Sequence, residues 1–372
     1  MKRRLVIELI SLEFGKAYGF HEYIFNLLDY FYRNRDKILY EEIIILCKDK
    51  SKQLFNKYSD NFQIHAYHYQ SSLRRLWLET MAPVNLKVGK KDLLFSPGNY
   101  SGFIKKSPEI LVIHDLLYKR KEWIPSKLMR MQREVVIPKS IKKADRIIAI
   151  SQFTKNDIEY YYPQAKGKVE VIYNSMNFKK FNSTEASVLN FDYFLAISTN
   201  ANYKNQKTIL KAFQDYINNG GDKYLVMIGK LKPDSDAGML FSNLPSEVKK
   251  RIVWKSNISN AELGAMYRNA SCFISASLFE GLGMPVVEAM SFGLPVLLSD
   301  IPPHREVSLG KGVYFEPCNS KDLSTKMSNI DFGKCSYDQE VRALFSEENT
   351  AARYVDVINE FYEMLNWGGG NM

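Results

Sequence analysis

Short apolar runs separated by helix-length stretches set the pattern of the first half of the chain. Leu5 to Ile10, Ile43 to Cys47, Leu93 to Ser96, Ile110 to Ile113, Arg146 to Ile150 and Val169 to Ile172 are brief and rich in Val, Ile and Leu. Strands buried on both faces read this way. After the first run, Tyr23, Ile24, Leu27, Leu28 and Phe31 recur at helical spacing and mark an apolar helix face. The second half repeats the pattern. Phe194 to Ser198, Leu225 to Ile228, Ile252 to Lys255, Cys272 to Ser275 and Val296 to Ser299 read as strands, with Ile209, Leu210 and Phe213 on an intervening helix. Strands alternating with helices predict parallel sheets wound with helices, an α/β fold. At 372 residues the chain is long for one core, which favours two domains. The polar stretch Asn177 to Asn190 reads as the linker, dividing residues 1–186 from 187–348. A last helix, roughly Asn349 to Trp367, carries a long apolar stripe through Tyr354, Ile358 and Phe361 that needs a surface to pack on.

Charge changes this picture by making the halves unlike. Residues 1–186 hold 33 Lys and Arg against 20 Asp and Glu, whereas residues 187–372 hold 18 against 21. A basic first half suits an anionic partner: nucleic acid, lipid headgroups or a pyrophosphate-linked acceptor. RNA-binding modules display aromatics on strands beside their cations, and the aromatics here fall in apolar, core-like positions, so no nucleic-acid partner is expected. From Lys119 to Lys143 basic residues interleave with Trp123, Ile124, Leu128, Met129, Met131 and Val135, a mix equally suited to a helix on an anionic membrane and to a soluble helix with snorkelling lysines. Pro125 and Pro138 are expected to confine any helix to the interval between them. The opening MKRRLVIELISLEFG carries Glu8 and Glu13 where a signal peptide would be apolar, so a cytoplasmic protein is expected. Cys47, Cys272, Cys318 and Cys335 are scattered without a CxxC, and buried free thiols are expected at Cys47 and Cys272.

Candidate chemistry concentrates in Cys272 to Val307. A strand feeds a loop with Glu280, Gly281 and Gly283, then a helix led by Pro285 and ended near Gly293. Backbone N–H groups at such a helix start suit a phosphate, and Glu280 and Glu288 frame the same place. Anion site and carboxylates together fit a ligand with phosphates and hydroxyls, as in a sugar nucleotide; a tight turn with a capped helix accounts for the glycines equally well. His114 and Asp115 stand at the C-terminal end of a strand, where open α/β sheets bind ligands. His65 and His68 lie in a Tyr-rich stretch with no evident carboxylate partner, and His21 and His304 are isolated. Asp234-Ser-Asp236 has DxD form but sits in a turn, and neither cysteines nor histidines suggest a metal cluster.

The string Glu280-Gly-Leu-Gly-Met-Pro-Val-Val-Glu288, with Gly293-Leu-Pro-Val behind it, resembles the E-x7-E signature of retaining glycosyltransferases of family 4 (glycosyl transferases group 1) of the bacterial polysaccharide-assembly type. Val112-Ile-His114-Asp115-Leu resembles the same family's His-Asp pair. The resemblance implies the GT-B fold: two doubly wound, Rossmann-like parallel-sheet domains facing a cleft, the C-terminal helix crossing back onto the first. It implies metal-independent, retaining transfer of a sugar from a nucleotide donor, GDP-mannose-like, to a hydroxyl of an oligosaccharide or lipid-linked acceptor, possible at the inner face of the cytoplasmic membrane, with no cofactor. On this resemblance Lys204 and the backbone of Gly281, Leu282, Gly283 and Met284 hold the diphosphate. Glu288 takes the ribose, Glu280 the sugar hydroxyls, His114 the sugar beside its anomeric carbon, with Gly19, Asn200 and the base-reading loop at Ile258 completing the donor site. Tyr203 stands where the family commonly has arginine, and Ser198 and Ser175 where it commonly has glycine. A sugar-nucleotide epimerase of the same architecture and a non-catalytic basic binding protein are the alternatives.

Overall fold

The computed structural model describes residues 2–10, 12, 18–123, 126–182 and 189–367. The chain divides into two units, residues 1–176 with 345–372, and residues 177–344. Gly15, Ile124, Pro125, residues 183–188 of the expected linker and the 368–372 tail lie outside the described residues.

Unit 1 is built on seven strands, β1 (Arg4–Leu9), β2 (Glu42–Lys48), β3 (Gln63–Tyr67), β4 (Leu93–Ser96), β5 (Glu109–Ile113), β6 (Arg146–Ala149) and β7 (Val169–Val171), in the order β3-β2-β1-β4-β5-β6-β7. All pairings in it are parallel, with Ile7 opposite Ile45 and Phe95 in the central ladders. Unit 2 holds β8 (Tyr193–Ile197), β9 (Tyr224–Ile228), β10 (Ile252–Lys255), β11 (Cys272–Ser275), β12 (Val296–Ser299) and β13 (Val313–Phe315), in the order β10-β9-β8-β11-β12-β13, also parallel. Chain order reverses between β1 and β4 in one sheet and between β8 and β11 in the other. Loops leaving the C-terminal ends of those strand pairs open a crevice, the place where such sheets take ligands.

Seven of the helices position the side chains of interest: α1 (Tyr18–Arg33), α2 (Ser72–Asn85), α3 (Lys127–Lys143), α4 (Gln206–Asn218), α5 (Asn260–Asn269), α6 (Met284–Ser291) and α7 (Ala351–Trp367). The stripe on α7 packs within unit 1: Tyr354 touches the Phe95 ring edge-on, and the Tyr23 hydroxyl of α1 donates to the Tyr354 hydroxyl at 3.1 Å. A core cluster of unit 2 gathers Phe194, Leu225, Met227, Ile274 and Leu297 from one face of its sheet, with Leu210 and Phe213 of α4 packed against them. The four cysteines are free, with Cys47 and Cys272 buried.

Several details depart from the sequence reading. β3 and β13 are edge strands, the first half-exposed with a mixed polar pattern and the second three residues long, so neither carries the apolar run of a central strand. Helix α3 runs through Pro138 to Lys143. The lost backbone hydrogen bond is offset by what the last turn anchors: Ile137, Ser140 and Ile141 are buried, and Lys143 pairs with buried Glu109 at 2.9 Å. The segment read as linker starts with a 3-10 turn, Phe178–Phe181, whose Phe181 is buried within unit 2 against Tyr267 and Phe292.

Unit 1 also buries acids. Glu8 on β1 and Glu79 on α2 are almost fully enclosed. Burial pushes both carboxyls up, Glu79 to about 7 despite Arg75 at 3.3 Å, and Glu8 is raised further by the nearby Glu79 charge. An acid whose folded value lies above its unfolded value of 4.5 favours the folded state only while protonated, so stability falls as pH rises from 4.5 through about 7. Glu79→Gln is expected to lessen this fall between pH 4 and pH 8 by about 1–2 kcal/mol, leaving the part that Glu8 contributes. Urea unfolding at the two pH values measures it; an unchanged difference between them would refute the buried-acid account.

Candidate active site

In unit 2 the two loops flanking the β8/β11 reversal are tied together. After β8, Asn202–Lys204 forms a 3-10 turn and Asn205, in left-handed conformation at φ 53°, starts α4. After β11, Leu278 N–H donates to the Tyr203 carbonyl at 2.7 Å, and Lys204 Nζ reaches Glu280 Oε1 at 2.5 Å. Two residues far apart in sequence thus form one charged node. Burial alone would raise the Glu280 carboxyl, but the Lys204 ammonium outweighs it, helped by the Ser277 hydrogen bond. The carboxyl is held below the ordinary range and is ionised at neutral pH.

Beyond Glu280 the chain turns at Gly283, φ 105°, a left-handed position that strains any residue with a Cβ, and enters α6. Leu282 is buried and anchors the loop, while Met284 begins the helix and Pro285 occupies its first turn. The side chain below is His304, which the sequence reading left isolated. It is fully buried; its Nδ1–H donates to the Ser299 carbonyl at 2.9 Å, and its Nε2 lies 3.1 Å from the Ser275 hydroxyl. Burial lowers His304 against the pull of Glu280, leaving a neutral imidazole. A Cβ at Gly283 would lie 3.7 Å from its ring, so this histidine forms the floor of the glycine loop.

Glu288, in the second turn of α6, is buried rather than solvated. Lys180 Nζ contacts its Oε1 at 3.0 Å and the Tyr267 hydroxyl donates to its Oε2 at 2.7 Å. Each carboxylate of the E-x7-E string therefore has its own lysine. Sequence reasoning missed Lys180 and Tyr267: Lys180 sits in the stretch read as linker, and Tyr267 is indistinguishable from a core aromatic on α5. Breaking a buried ion pair from one side strands the other charge. Lys180→Met is expected to destabilise unit 2 by about 3 kcal/mol, and adding Glu288→Gln to restore most of it. Thermal unfolding of the single and double variants tests this; additive losses would contradict it.

Two further expected donor residues sit nearby in the fold. Asn200 uses its Oδ1 to accept from Lys232 N–H at 3.1 Å, which fixes the loop after β8 against the one after β9. Asn200, Asn202, Asn205, Gln206, Ser235 and Asp236 line a small cleft of about 90 Å³. Gln206 is buried there with its Nε2 unpaired, a donor the sequence did not single out. Ile258 lies past the C-terminal end of edge strand β10, two strands from β8, between left-handed Asn257 and Ser259, which caps α5 with Glu262. Asp234-Ser-Asp236 is a helix start, with Ser235 as cap and Asp236 3.4 Å from Lys207.

In unit 1, His114 stands at the end of β5. Its Nε2 lies 2.8 Å from the Pro97 carbonyl, which can only accept, so Nε2 carries the proton and Nδ1 is left as an acceptor. Burial keeps the ring neutral, and Phe20 and Tyr23 of α1 pack edge-on at 5.1 and 4.9 Å. Asp115 caps the following turn through Leu117 N–H. Gly19, expected to help complete the donor site, lies exposed in the first turn of α1. His68, read as lacking a carboxylate partner, pairs with Asp49 at 2.6 Å on the surface.

Residues 178–330 match the family model described as glycosyl transferases group 1, and residues 42–180 match that of glycosyltransferase family 4. Together these span more than half of the chain. The O-antigen chain mannosyltransferase RfbU of Salmonella typhimurium is 25% identical over 304 residues, 82% of this chain and 78% of that protein. The serotype-specific mannosyltransferase WbdA of Escherichia coli is 27% identical over 234 residues, 57% of this chain but 28% of WbdA. Among solved structures, sucrose-phosphate synthase from Thermosynechococcus elongatus superposes with TM-score 0.73 at 16% identity, covering 98% of this chain and all of that one. Anabaena HepE in complex with UDP gives 0.68 at 16% identity, covering 97% and 100%.

Proposed function

We propose that this chain, which belongs to the glycosyl transferases group 1 and has the GT-B fold, is a retaining glycosyltransferase that moves a sugar from a nucleotide donor to a hydroxyl of a lipid-linked oligosaccharide in cell-surface polysaccharide synthesis. The observation carrying this reading is the Lys204–Glu280 pair at the β8/β11 reversal, set beside the glycine-led start of α6. Lys204 can turn its charge toward a diphosphate while Glu280, kept ionised, accepts from sugar hydroxyls. The N–H groups at the start of α6 add the positive end of the helix dipole to the leaving diphosphate, the electrostatic help that a bound metal gives elsewhere. His114 offers a neutral acceptor at Nδ1 to a hydroxyl of the transferred sugar. No side chain is assigned as general base; the acceptor attacks on the face from which the phosphate departs, and a phosphate oxygen takes its proton.

The mannosyltransferase relatives support a GDP-mannose-like donor, while HepE was solved with UDP, so the nucleotide is the first thing to measure. A thermal-shift screen of GDP-, UDP- and dTDP-sugars with EDTA present is expected to show one nucleotide class raising the melting temperature. Mass analysis of the reaction then separates transfer from epimerisation: product formed from the sugar nucleotide with no acceptor would refute transfer. A lipid-linked acceptor places the reaction at a membrane surface; among the described residues no helix is long and apolar enough to cross one.

A further inference from the structure

Unit 1 exposes large apolar side chains on two helices and the loop clamped between them. On α2, Leu73 is 82% exposed and Trp77 45%; on α3, Leu128 is 77%, Met131 60% and Val135 51%. These fall at helical spacing, Leu73, Trp77 and Thr80 along one line and Leu128, Met131, Val135 and Lys139 along the other. Both lines end at Phe103, itself 41% exposed. Phe103 N–H donates to Thr80 Oγ1 at 3.1 Å, and Lys139 Nζ lies 5.0 Å from the Phe103 ring. The loop is held rigidly: Ser101 N–H donates to Ser140 Oγ at 3.0 Å, and a Cβ on Gly102 would fall 2.4 Å from the Glu79 carbonyl, so the backbone of α2 lies directly against it. The apolar lines are therefore one continuous feature built by three segments.

The surroundings are cationic. Helix α3 carries six Lys and Arg against one acid, Glu134, which Arg130 already faces at 3.7 Å. On α2, Arg74 lies over the Trp77 ring at 4.2 Å and Glu79, the one acid of that helix, is buried. We infer that this face of unit 1 docks on an anionic lipid bilayer, the aliphatic and aromatic side chains entering the headgroup–acyl boundary and the flanking cations meeting lipid phosphates. A nucleic acid would engage the cations and leave Leu73, Leu128 and Met131 in water, and a second copy of this chain docking through the same face would set like charge against like charge. A bilayer with anionic headgroups satisfies both halves of the surface. The inference rests on the proposed reading only in supplying the membrane at which a lipid-linked acceptor would be met. Its test uses neither donor nor acceptor, so it can fail without the transfer reading failing.

Full-length protein is co-sedimented with vesicles of phosphatidylcholine alone and with roughly one-third phosphatidylglycerol. Binding is expected to the anionic vesicles, to weaken in 0.5 M salt by roughly tenfold or more, and to be nearly absent on phosphatidylcholine. Leu128→Glu and Leu73→Glu, both at highly exposed positions, are each expected to lower partitioning by roughly tenfold with unchanged melting temperature. Lys139→Ala with Lys142→Ala is expected to lower it less, by several-fold. No binding to anionic vesicles, binding indifferent to Leu128→Glu and Leu73→Glu, or binding of RNA or of a second copy through these residues in place of vesicles would overturn the proposal.

Discussion

Replacing Glu280 by alanine is expected to reduce sugar transfer by about a hundredfold or more while the chain stays folded. Its carboxylate is ionised because Lys204 sits 2.5 Å away, and it lies in the loop that leads into α6. A group that accepts from sugar hydroxyls at the reacting centre contributes most as charge develops, so the loss should fall mainly on kcat. Truncation leaves the Lys204 ammonium without this carboxylate, but its side chain keeps 17% exposure and can turn to water, which limits the cost to folding. Glu280→Gln separates charge from shape: it should lose nearly as much as alanine if ionisation matters. Steady-state rates with an identified donor and acceptor measure both. A Glu280→Ala enzyme near wild-type rate would mean that the residue only closes the loop.

The largest expected effect on stability comes from Gly229→Ala, a loss of about 3 kcal/mol or more that removes folded unit 2 under mild conditions. Gly229 follows β9 at φ 136°, and a Cβ there would fall 1.9 Å from the Ser198 carbonyl. No small rearrangement relieves this, because Ser198 N–H donates to the Ile228 carbonyl and Gly229 N–H to the Lys255 carbonyl, fixing the ends of three neighbouring strands. The site depends on the same point. The loop carrying Lys204 leaves the sheet at Ser198, so a displaced Ser198 moves Lys204 away from Glu280. Urea unfolding is the check, and a Gly229→Ala protein of unchanged stability would contradict the geometry.

How much of this was legible in the chain itself depends on which forces act locally. Central strands such as Ile110 to Ile113 and Val296 to Ser299 are buried on both faces, so their apolar runs announce them. Edge strands β3 and β13 are paired on one side only and need no such run. The Glu280 loop was readable because its glycines, proline and carboxylates serve one short turn and helix. Its partners were not: Lys204 was marked by the family resemblance but not as a partner of Glu280, and Lys180 was not marked at all, since both reach their carboxylates across the fold of unit 2. His304 looked isolated for the same reason: Ser275 and Ser299 meet it only once β11 and β12 are side by side. Proline at 138 misled because helix propensity is a local quantity, whereas Ile141 and Lys143 are held by the core of unit 1. With Tyr203 in place of a second cation, Lys204 and the start of α6 carry the diphosphate's charge in this reading, which makes Lys204 the sensitive point.

Calorimetric titration of GDP and of UDP into the wild-type protein and into Lys204→Met tests the central claim most directly. The account predicts that one of the two nucleotides binds the wild type and that its Kd rises by roughly tenfold or more in the variant, as expected for loss of a charge-assisted contact to phosphate. Equal affinity for wild type and Lys204→Met, or binding of neither nucleotide by a folded wild-type protein, would contradict it.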